Sequence, residues 1–412
     1  LYLDILNGSK KKGLYWSLSN IKQKNTSFLD LKKRIHDVLI DSVKIRMRTD
    51  RKLAFIISGG IDSSATLGIA KKFLNINPQA FSLNLPDSRF NENNEIIENV
   101  KFLKLEHEFI NVTPSSFLDK LEDFNLSMDQ PLATPNTILH MIMAEKIYEK
   151  SINVVLNGVG GDESFFGYHD HFLYFLFNQR EKKSFSYELF HWMKDQRRDE
   201  NLFNTFISYI NSTKQKVSPD FLSRSSNYDY RPMLNDNDNK EINDYLVRDL
   251  SFSVSEKKKK DIAQYTLPYS IRMDDFCYFL YAVEARQPFL DHRIIELGIE
   301  AHEKYMIRKG YSKFILRQVV KNYIPKNRRL DKKKVGLNLP FDIWIKNELK
   351  CWVSDNLEKK NNPIFDYACF NFTQSIISEH LSDHRNHSLK LWDLCILNQW
   401  LKKNQGNIKN DK

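Results

Sequence analysis

The sequence predicts an α/β fold: a doubly wound parallel sheet followed by a mainly helical C-terminal part. Three observations predict it. Between about residues 50 and 170, short apolar runs alternate with amphipathic segments at the spacing of strands and helices. Two of these apolar runs lead directly into glycine-rich turns. From residue 261 to about residue 400, apolar residues recur at helical spacing.

The first strand is predicted at residues 53–57, "LAFII", a continuous apolar run typical of strands buried on both faces. The helix after it carries Ile61, Ala65, Ile69 and Phe73 four residues apart, which predicts one apolar stripe facing the sheet. Further strands are expected at residues 80–85, 107–112 (with Phe109 as the core residue) and 152–158, and helices at about residues 29–48, 96–103 and 138–148.

Residues 29–400 are predicted to form one domain, in which the α/β core occupies about residues 50–170 and the helical part 261–400. Residues 170–256 are expected to be irregular, with a polar insertion over about 210–260, and residues 401–412 read as a polar tail. The chain begins with Leu1 and its first methionine is Met47, so we expect a longer protein at the N-terminal side.

Composition indicates an ordinary globular protein, with 41% apolar and 28% charged residues among 412. No apolar run reaches the roughly 18 residues of a transmembrane helix, and no signal stretch is seen, so a cytoplasmic protein is predicted. The four cysteines are far apart, which favours buried free thiols over a zinc site. The net charge of +10 lies largely in short lysine runs, and no pattern supports nucleic-acid binding.

The stretch "SGGIDSS", residues 58–64, turns sharply from the first strand into its helix. The first N–H groups of such a helix are unpaired, and its dipole favours an anion there. Gly59 and Gly60 let the backbone approach that anion, while Ser58, Ser63 and Ser64 add hydroxyl donors. The stretch is therefore predicted to cradle phosphate, the alternative being an ordinary turn.

Asp62 does not suit a simple anion cradle, because a carboxylate repels phosphate unless a divalent cation joins them. A second glycine-rich stretch, "NGVGGDESFFGY", follows the strand at 152–158 and places Asp162 and Glu163 near a helix start. Asp62 and Asp162 are thus candidate ligands of one Mg²⁺ ion at the sheet edge. The Walker and Rossmann glycine patterns are absent.

These stretches, with "DQPLATPN", "YAVEARQPFLDHRIIELG", "YSKFILRQ" and "KKVGLNLPFDIW", resemble the synthetase domain of glutamine-hydrolysing asparagine synthetases. The resemblance covers about residues 30–350 and extends to β-lactam synthetases and lasso-peptide cyclases. It implies an adenine nucleotide α-hydrolase-like (PP-loop) fold that uses ATP and Mg²⁺. A substrate carboxylate would attack the α-phosphorus, giving an acyl-adenylate and pyrophosphate, and an amine would then form the amide.

The resemblance also implies roles for individual residues. Lys313 would stabilise charge during adenylation, supported by Arg317, and Asp62 and Asp162 would bind Mg²⁺. Asp275 is a candidate to face substrate. The expected nucleotide and pyrophosphate contacts are Ile57, Ser58, Gly59, Gly60, Asp62, Ser63, Ser64, Leu83, Asn157 and Gly158.

Two positions depart from the family pattern beside the predicted site. Val159 stands where asparagine synthetases generally have a glutamate near the reacting groups, and Asn157 replaces the usual serine. Valine cannot accept a proton, so a general base would have to come from Glu163, Asp275 or the substrate itself. Glu284, Arg286 and Asp291 are interpreted mainly as an internal ion network.

The N-terminal region departs as well. Residues 1–28 resemble the end of an Ntn glutaminase domain, but no cysteine nucleophile precedes Cys277. The nitrogen donor therefore stays open between ammonia, glutamine-derived nitrogen and an internal amine. The substrate carboxylate is expected to belong to a small molecule or a peptide. The resemblance also allows a homodimer. Asparagine-type synthesis competes with amidation or cyclisation of another acid, and with a non-catalytic ATP-binding scaffold.

Overall fold

A computed structural model describes residues 2–3, 10–11, 13–196, 216–217, 248–249, 251–332 and 335–408. Its centre is a five-stranded sheet in which all neighbouring strands are parallel, in the order β3-β2-β1-β4-β5. The strands are β1 (Leu53–Ile56), β2 (Gln79–Asn84), β3 (His107–Asn111), β4 (Val154–Leu156) and β5 (Glu284–Arg286). Two-residue strands pair Tyr2–Leu3 with Lys10–Lys11 and Lys216–Val217 with Arg248–Asp249.

Helices connect the strands and form most of the C-terminal part. They are α1 (Phe28–Arg46), α2 (Ile61–Lys72), α3 (Asn93–Leu103), α4 (Pro114–Ser127), α5 (Thr137–Glu149), α6 (Gly161–Phe165), α7 (His169–Gln179), α8 (Phe185–Gln196), α9 (Val254–Lys260), α10 (Leu267–Phe279), α11 (His292–Glu300), α12 (Phe314–Val319), α13 (Lys326–Leu330), α14 (Phe341–Trp344), α15 (Lys350–Leu357), α16 (Phe370–Leu381) and α17 (Ser388–Ile408). A π-helical turn at Asp261–Tyr265 joins α9 to α10. Short 3₁₀ turns lie at Leu18–Asn20, Pro288–Leu290, Glu303–Tyr305 and Pro363–Asp366.

The sheet is covered on both faces, as a doubly wound fold requires. Phe55 and Ile57 belong to a core that includes apolar residues of α1, α2, α11 and α12. Ala54 and Phe81 belong to a second core with α4, α5, α10 and α17. Because neighbouring residues of a strand point to opposite faces, burial of both faces gives the continuous apolar run of β1. The predicted fold class is confirmed.

The topology reverses between β1 and β4. The chain adds β2 and β3 on one side of β1 and then returns to add β4 and β5 on the other side. In open parallel sheets, ligands bind beyond the carboxyl ends of the strands at such a reversal. The two glycine-rich stretches directly follow β1 and β4, so both lie at this position.

The fifth strand was not predicted. Glu284–Arg286 pairs with Val154–Leu156, although it lies outside the 50–170 segment expected to contain the sheet. Its sequence "EAR" has no apolar run, and the side chain of Glu284 is exposed. A three-residue edge strand with two charged side chains carries no periodic signal that separates it from a loop.

Other expectations need correction. Phe73 follows the end of α2 and is 54% exposed, whereas α2 itself is buried on several sides rather than along one stripe. In β3 the buried apolar residue is Ile110, whereas Phe109 is only half-buried. Two of the cysteines, Cys277 and Cys395, are buried, but Cys351 is exposed.

The described part of the region predicted to be irregular includes helices α7 and α8. Helix α7 has an almost continuous apolar sequence, "HFLYFLF", and the aromatic side chains of Phe165, Phe166, Tyr174 and Phe175 are buried. Most of the insertion expected over 210–260 lies outside the described residues. At the other end, α17 continues to Ile408 and so enters the segment expected to be a polar tail.

Residues before α1 contact the body of the fold. The indole N–H of Trp16 donates to Glu296 Oε1 (2.8 Å), and the backbone N–H of Lys24 donates to the carbonyl of Glu300 (2.9 Å). Both acceptors belong to α11. In the described part of the chain, no helix is long and apolar enough to cross a membrane.

The packing of α2 yields a stability prediction. A Cβ at Gly68 would overlap the backbone carbonyl of Tyr323, which cannot move as a flexible side chain would. Helix propensity alone would make Gly68→Ala stabilising by roughly 1 kcal/mol. We expect the opposite: a free energy of unfolding lower by about 1–3 kcal/mol in urea titrations. An unchanged or higher value would contradict this packing.

Candidate active site

The "SGGIDSS" stretch forms a compact loop that its own hydroxyl groups hold. The N–H of Ser58 donates to Ser63 Oγ (3.0 Å), and the N–H of Gly60 donates to Ser58 Oγ (3.2 Å). The hydroxyl of Ser64 donates to the Gly60 carbonyl (2.7 Å) and accepts from Asn99 Nδ2 (2.9 Å). Ser64 is fully buried, so it supports the loop from behind, whereas Ser58 lies on its more accessible side.

The loop already binds an anionic group. The N–H of Gly59 donates to the carboxylate of Glu92 (Oε2, 3.2 Å), which lies at the start of α3. A Cβ at Gly59 would lie 2.8 Å from the Cβ of Glu95, so only glycine fits this close approach. A carboxylate oxygen thus lies at the amide where the sequence predicts phosphate, which shows that the amide suits an anion.

The second glycine-rich stretch packs directly on the first. A Cβ at Gly158 would lie 2.5 Å from the backbone nitrogen of Ser63, and one at Gly161 would overlap the carboxylate of Asp62. Gly160 has a φ of +95°, a conformation that side chains disfavour. Glycines at these positions therefore bring the two loops, and with them Asp62 and Asp162, into contact.

Lys313 lies between the two predicted metal-binding carboxylates. Its Nζ contacts Asp62 Oδ2 and lies 2.9 Å from Asp162 Oδ1. The side chain is buried at the start of α12, in a left-handed backbone conformation (φ 52°). Burial alone lowers the pKa of Lys313, but the charges of Asp162 and Asp62 outweigh it and raise the pKa above its ordinary value. Lys313 is therefore charged.

Gly167 makes this arrangement possible. A Cβ there would overlap both Lys313 Cε and Asp162 Oδ1.

Arg317, one turn further along α12, does not donate a hydrogen bond to either carboxylate. Its guanidinium donates to the carbonyls of Ser312, Arg329 and Asp331, so it orders the backbone around Lys313.

Glu163 is buried beside Asp162, with only 2% of its surface exposed. It accepts a hydrogen bond from the hydroxyl of Tyr168 (2.6 Å). Burial, together with the negative charge of Asp162, raises the pKa of Glu163 to about 7. The structure thus brings Glu163 next to the predicted metal ligands, and Tyr168 is a contact that the sequence did not reveal.

Asn157 belongs to a second polar cluster at the same sheet edge. Its Nδ2 donates to Asp274 Oδ2 (2.9 Å), and Gln287 Nε2 donates to the same oxygen (2.8 Å). His140 Nδ1 lies 3.0 Å from Asp274 Oδ1. Burial alone raises the pKa of Asp274, but the contacts with His140, Asn157 and Gln287 outweigh it and lower the pKa. Asp274 is therefore a buried carboxylate.

The structure does not bring the predicted residue Asp275 to this cluster. Asp275 is exposed on α10, while its neighbour Asp274 is 2% exposed and makes the contacts with Asn157. Consecutive helical residues point about 100° apart, so only one of the two can face the sheet edge. Two adjacent aspartates gave no signal for choosing between them, and nothing in the sequence singled out His140, Gln287 or Glu92.

The two apolar residues predicted to contact the nucleotide lie at the carboxyl ends of their strands. Ile57 directly follows β1 and is buried, and Leu83 lies near the carboxyl end of β2 and is half-buried. The ion network predicted for Glu284, Arg286 and Asp291 consists of two sets of ion pairs, which meet where Arg286 donates to the backbone carbonyl of Arg46 (2.8 Å). Arg286 pairs with the exposed Glu284, whereas Asp291 pairs with Arg46 and Arg293.

The buried Glu163 predicts a pH effect on stability. The unfolded chain gives up this proton near pH 4.5 and the folded chain near pH 7, so the wild-type protein loses stability as pH rises between these values. Glu163→Gln removes that loss and keeps an acceptor for Tyr168. We expect its stability relative to wild type to rise across this range by up to about 3 kcal/mol, measured by denaturant titration. The exposed control Glu122→Gln should show no such rise, and a flat difference for Glu163→Gln would contradict the burial.

Comparisons with known proteins identify the family of the chain. The family model "Asparagine synthase" matches residues 34–402. The chain is 24% identical over 393 residues to asparagine synthetase [glutamine-hydrolyzing] 1 of Bacillus subtilis, covering 93% of this chain and 61% of that protein. It is 30% identical over 175 residues to putative asparagine synthetase [glutamine-hydrolyzing] 2 of Methanocaldococcus jannaschii, covering 42% of this chain and 33% of that protein.

Among solved structures, an NH3-dependent NAD synthetase from Campylobacter jejuni matches 35% of this chain and 61% of its own, with 20% identity and a TM-score of 0.26. The chain spans about three-fifths of the length of the Bacillus subtilis relative. The family match extends over most of the chain and includes both glycine-rich loops and Lys313. The chain therefore belongs to the asparagine synthase family.

Proposed function

We propose that this chain catalyses ATP-dependent amide formation through adenylation of a substrate carboxylate. The observation that carries the proposal is the buried Lys313 between Asp62 and Asp162, where the loops after β1 and β4 meet. Burying these charges costs desolvation free energy that each charge must recover from its partners, so the cluster is not expected where it serves stability alone. It is suited to a site where phosphate charge develops.

The residues of the site fit a nucleotide and a divalent cation. The amide N–H of Gly59 donates to an anionic partner, the carboxylate of Glu92, and the glycines leave no Cβ between the two loops. Lys313 and the two carboxylates together carry a net negative charge, which would repel phosphate without a further cation. Mg²⁺ is commonly bound through one or two carboxylates and substrate phosphates, and it would neutralise the charge of the pyrophosphate.

In the first half-reaction, the loop of residues 58–64 holds the β- and γ-phosphates and leaves the α-phosphorus accessible. A substrate carboxylate oxygen attacks that phosphorus, and the bond to the pyrophosphate oxygen breaks. Lys313 supplies a fixed positive charge while negative charge builds up on the phosphate oxygens. The half-buried Leu83, near the carboxyl end of β2, offers an apolar surface for the adenine ring, whereas Ile57 is buried in the core that underlies the loop.

In the second half-reaction, an amine attacks the acyl carbon and AMP leaves. The resemblance to asparagine synthetases supports aspartate as one candidate acid, but Val159 removes the glutamate that those enzymes place beside the reacting groups. The acceptor nitrogen therefore comes from ammonia, from glutamine or from an amine of the substrate itself. We place the reaction in the cytoplasm and on small-molecule or peptide acids, without nucleic acid or membrane.

ATP–pyrophosphate exchange with a panel of carboxylic acids tests this proposal. We expect exchange with at least one acid, aspartate or another. Asp62→Asn and Lys313→Ala should each reduce exchange by about 100-fold or more, because each removes a group that holds or stabilises phosphate charge. Asp50→Asn and Lys101→Ala are exposed controls that should leave exchange unchanged.

Circular dichroism is the check that each variant is folded. Exchange close to that of the wild-type protein in Asp62→Asn or Lys313→Ala would contradict the assigned roles. Tight ATP binding without exchange for any acid would instead indicate a non-catalytic ATP-binding protein.

A further inference from the structure

We propose that His140, oriented by Asp274, is the general base that deprotonates the acceptor amine. This inference rests on the proposed function and assigns the group that Val159 leaves missing. None of the residues that the sequence suggested for this role suits it as well. Asp275 is exposed away from the cluster, and Glu163 is buried against the hydroxyl of Tyr168.

The geometry around Asp274 fixes its carboxylate. Side-chain amides from two separate elements, Asn157 after β4 and Gln287 after β5, both donate to Oδ2. The other oxygen, Oδ1, is buried and lies 3.0 Å from Nδ1 of His140. No donor in the described part of the chain is aligned with Oδ1 as a hydrogen bond, so a small rotation of the imidazole ring would complete this pair.

Beside the charged Asp274, the neutral imidazole of His140 is held as one of its two tautomers. Because a carboxylate accepts, Nδ1 of His140 carries the hydrogen, and Nε2 keeps its lone pair. In the part of the chain that the structure describes, Nε2 has no hydrogen-bond partner. The side chain is 29% exposed and meets the ring of Tyr278 edge-on at 6.0 Å, so the imidazole is held on one side and accessible on another.

The position of the pair suits the second half-reaction. His140 lies in the first turn of α5, and Asn157 directly follows β4 at the carboxyl edge of the sheet. Asn157 Oδ1 accepts the N–H of Val159 (3.1 Å), while its Nδ2 holds Asp274. A single side chain therefore joins the His140–Asp274 pair to the residue that replaces the family's glutamate.

The proposed step balances in atoms and charge. The amine nitrogen loses a proton to Nε2 of His140 and forms a bond to the acyl carbon. The carbon–oxygen bond to AMP breaks, and AMP leaves with the electron pair. The negative charge of Asp274 stabilises the imidazolium that forms, as a carboxylate does in other histidine–carboxylate pairs.

Separate assays of the two half-reactions test the role of His140. ATP–pyrophosphate exchange reports adenylation, and amide formation from ammonia and a panel of amines reports transfer. Hydroxylamine traps the acyl-adenylate without a general base, since it is largely unprotonated at neutral pH. In His140→Ala we expect amide formation to fall by about 100-fold or more, because general bases contribute factors of this size. Exchange and hydroxamate formation should persist.

Further variants separate the base from a structural contribution. Added imidazole should restore part of the amide formation in His140→Ala, and Asp274→Asn should reduce the transfer step in the same selective way. His384→Ala, an exposed histidine of the C-terminal region, is the matched control and should leave all three assays unchanged.

Two results would overturn the role of His140 alone: amide formation in His140→Ala at the wild-type rate, or an equal loss of exchange and amide formation, which would place the cluster in nucleotide binding. Absence of exchange in the wild-type protein with every acid would overturn the proposed function, and the role of His140 with it.

Discussion

The site depends on the ion cluster of Lys313, Asp62 and Asp162. A buried ammonium group is stable only with close anionic partners, and removal of one partner from such a pair costs about 3–5 kcal/mol. The two carboxylates come from loops that follow β1 and β4, and the lysine comes from the start of α12. The cluster therefore ties the sheet to the C-terminal helices. Gly158, Gly161 and Gly167 are required because any side chain at these positions would displace a member of the cluster or its loop.

The loop after β4 connects the two halves of the proposed chemistry. Asp162 at one end of it belongs to the phosphate side, and Asn157 at the other end belongs to the His140–Asp274 pair. Both lie at the reversal of strand order, where the carboxyl ends of neighbouring strands leave a crevice. Val159 lies between them, near the middle of the loop, where the family generally has a glutamate. In our proposal His140 of α5 compensates for it, and Asp274 links this histidine to Asn157 of the loop.

Much of the fold followed from local patterns in the sequence. Strands β1 and β4 were predicted from apolar runs and β2 from alternating apolar residues, and the loop after β1 was predicted because glycines and hydroxyl residues there fit an anion at a helix start. Strand β5 was missed because its three residues include two charged ones. Helices α7 and α8 were missed because they adjoin a polar stretch. Lys313 was found through family resemblance alone, whereas the contacts of Asp274 with His140 and Gln287 join residues far apart in sequence, which no local pattern encodes.

A crystal structure with Mg²⁺ and an ATP analogue that carries a methylene group between the α- and β-phosphates would test the central claim most directly. We predict that its β- and γ-phosphates bind the amides of residues 59–64, that Glu92 leaves the amide of Gly59, and that one metal ion lies between Asp62 and Asp162. A nucleotide bound elsewhere, with Glu92 still on Gly59 and Lys313 still paired with both carboxylates, would contradict the account.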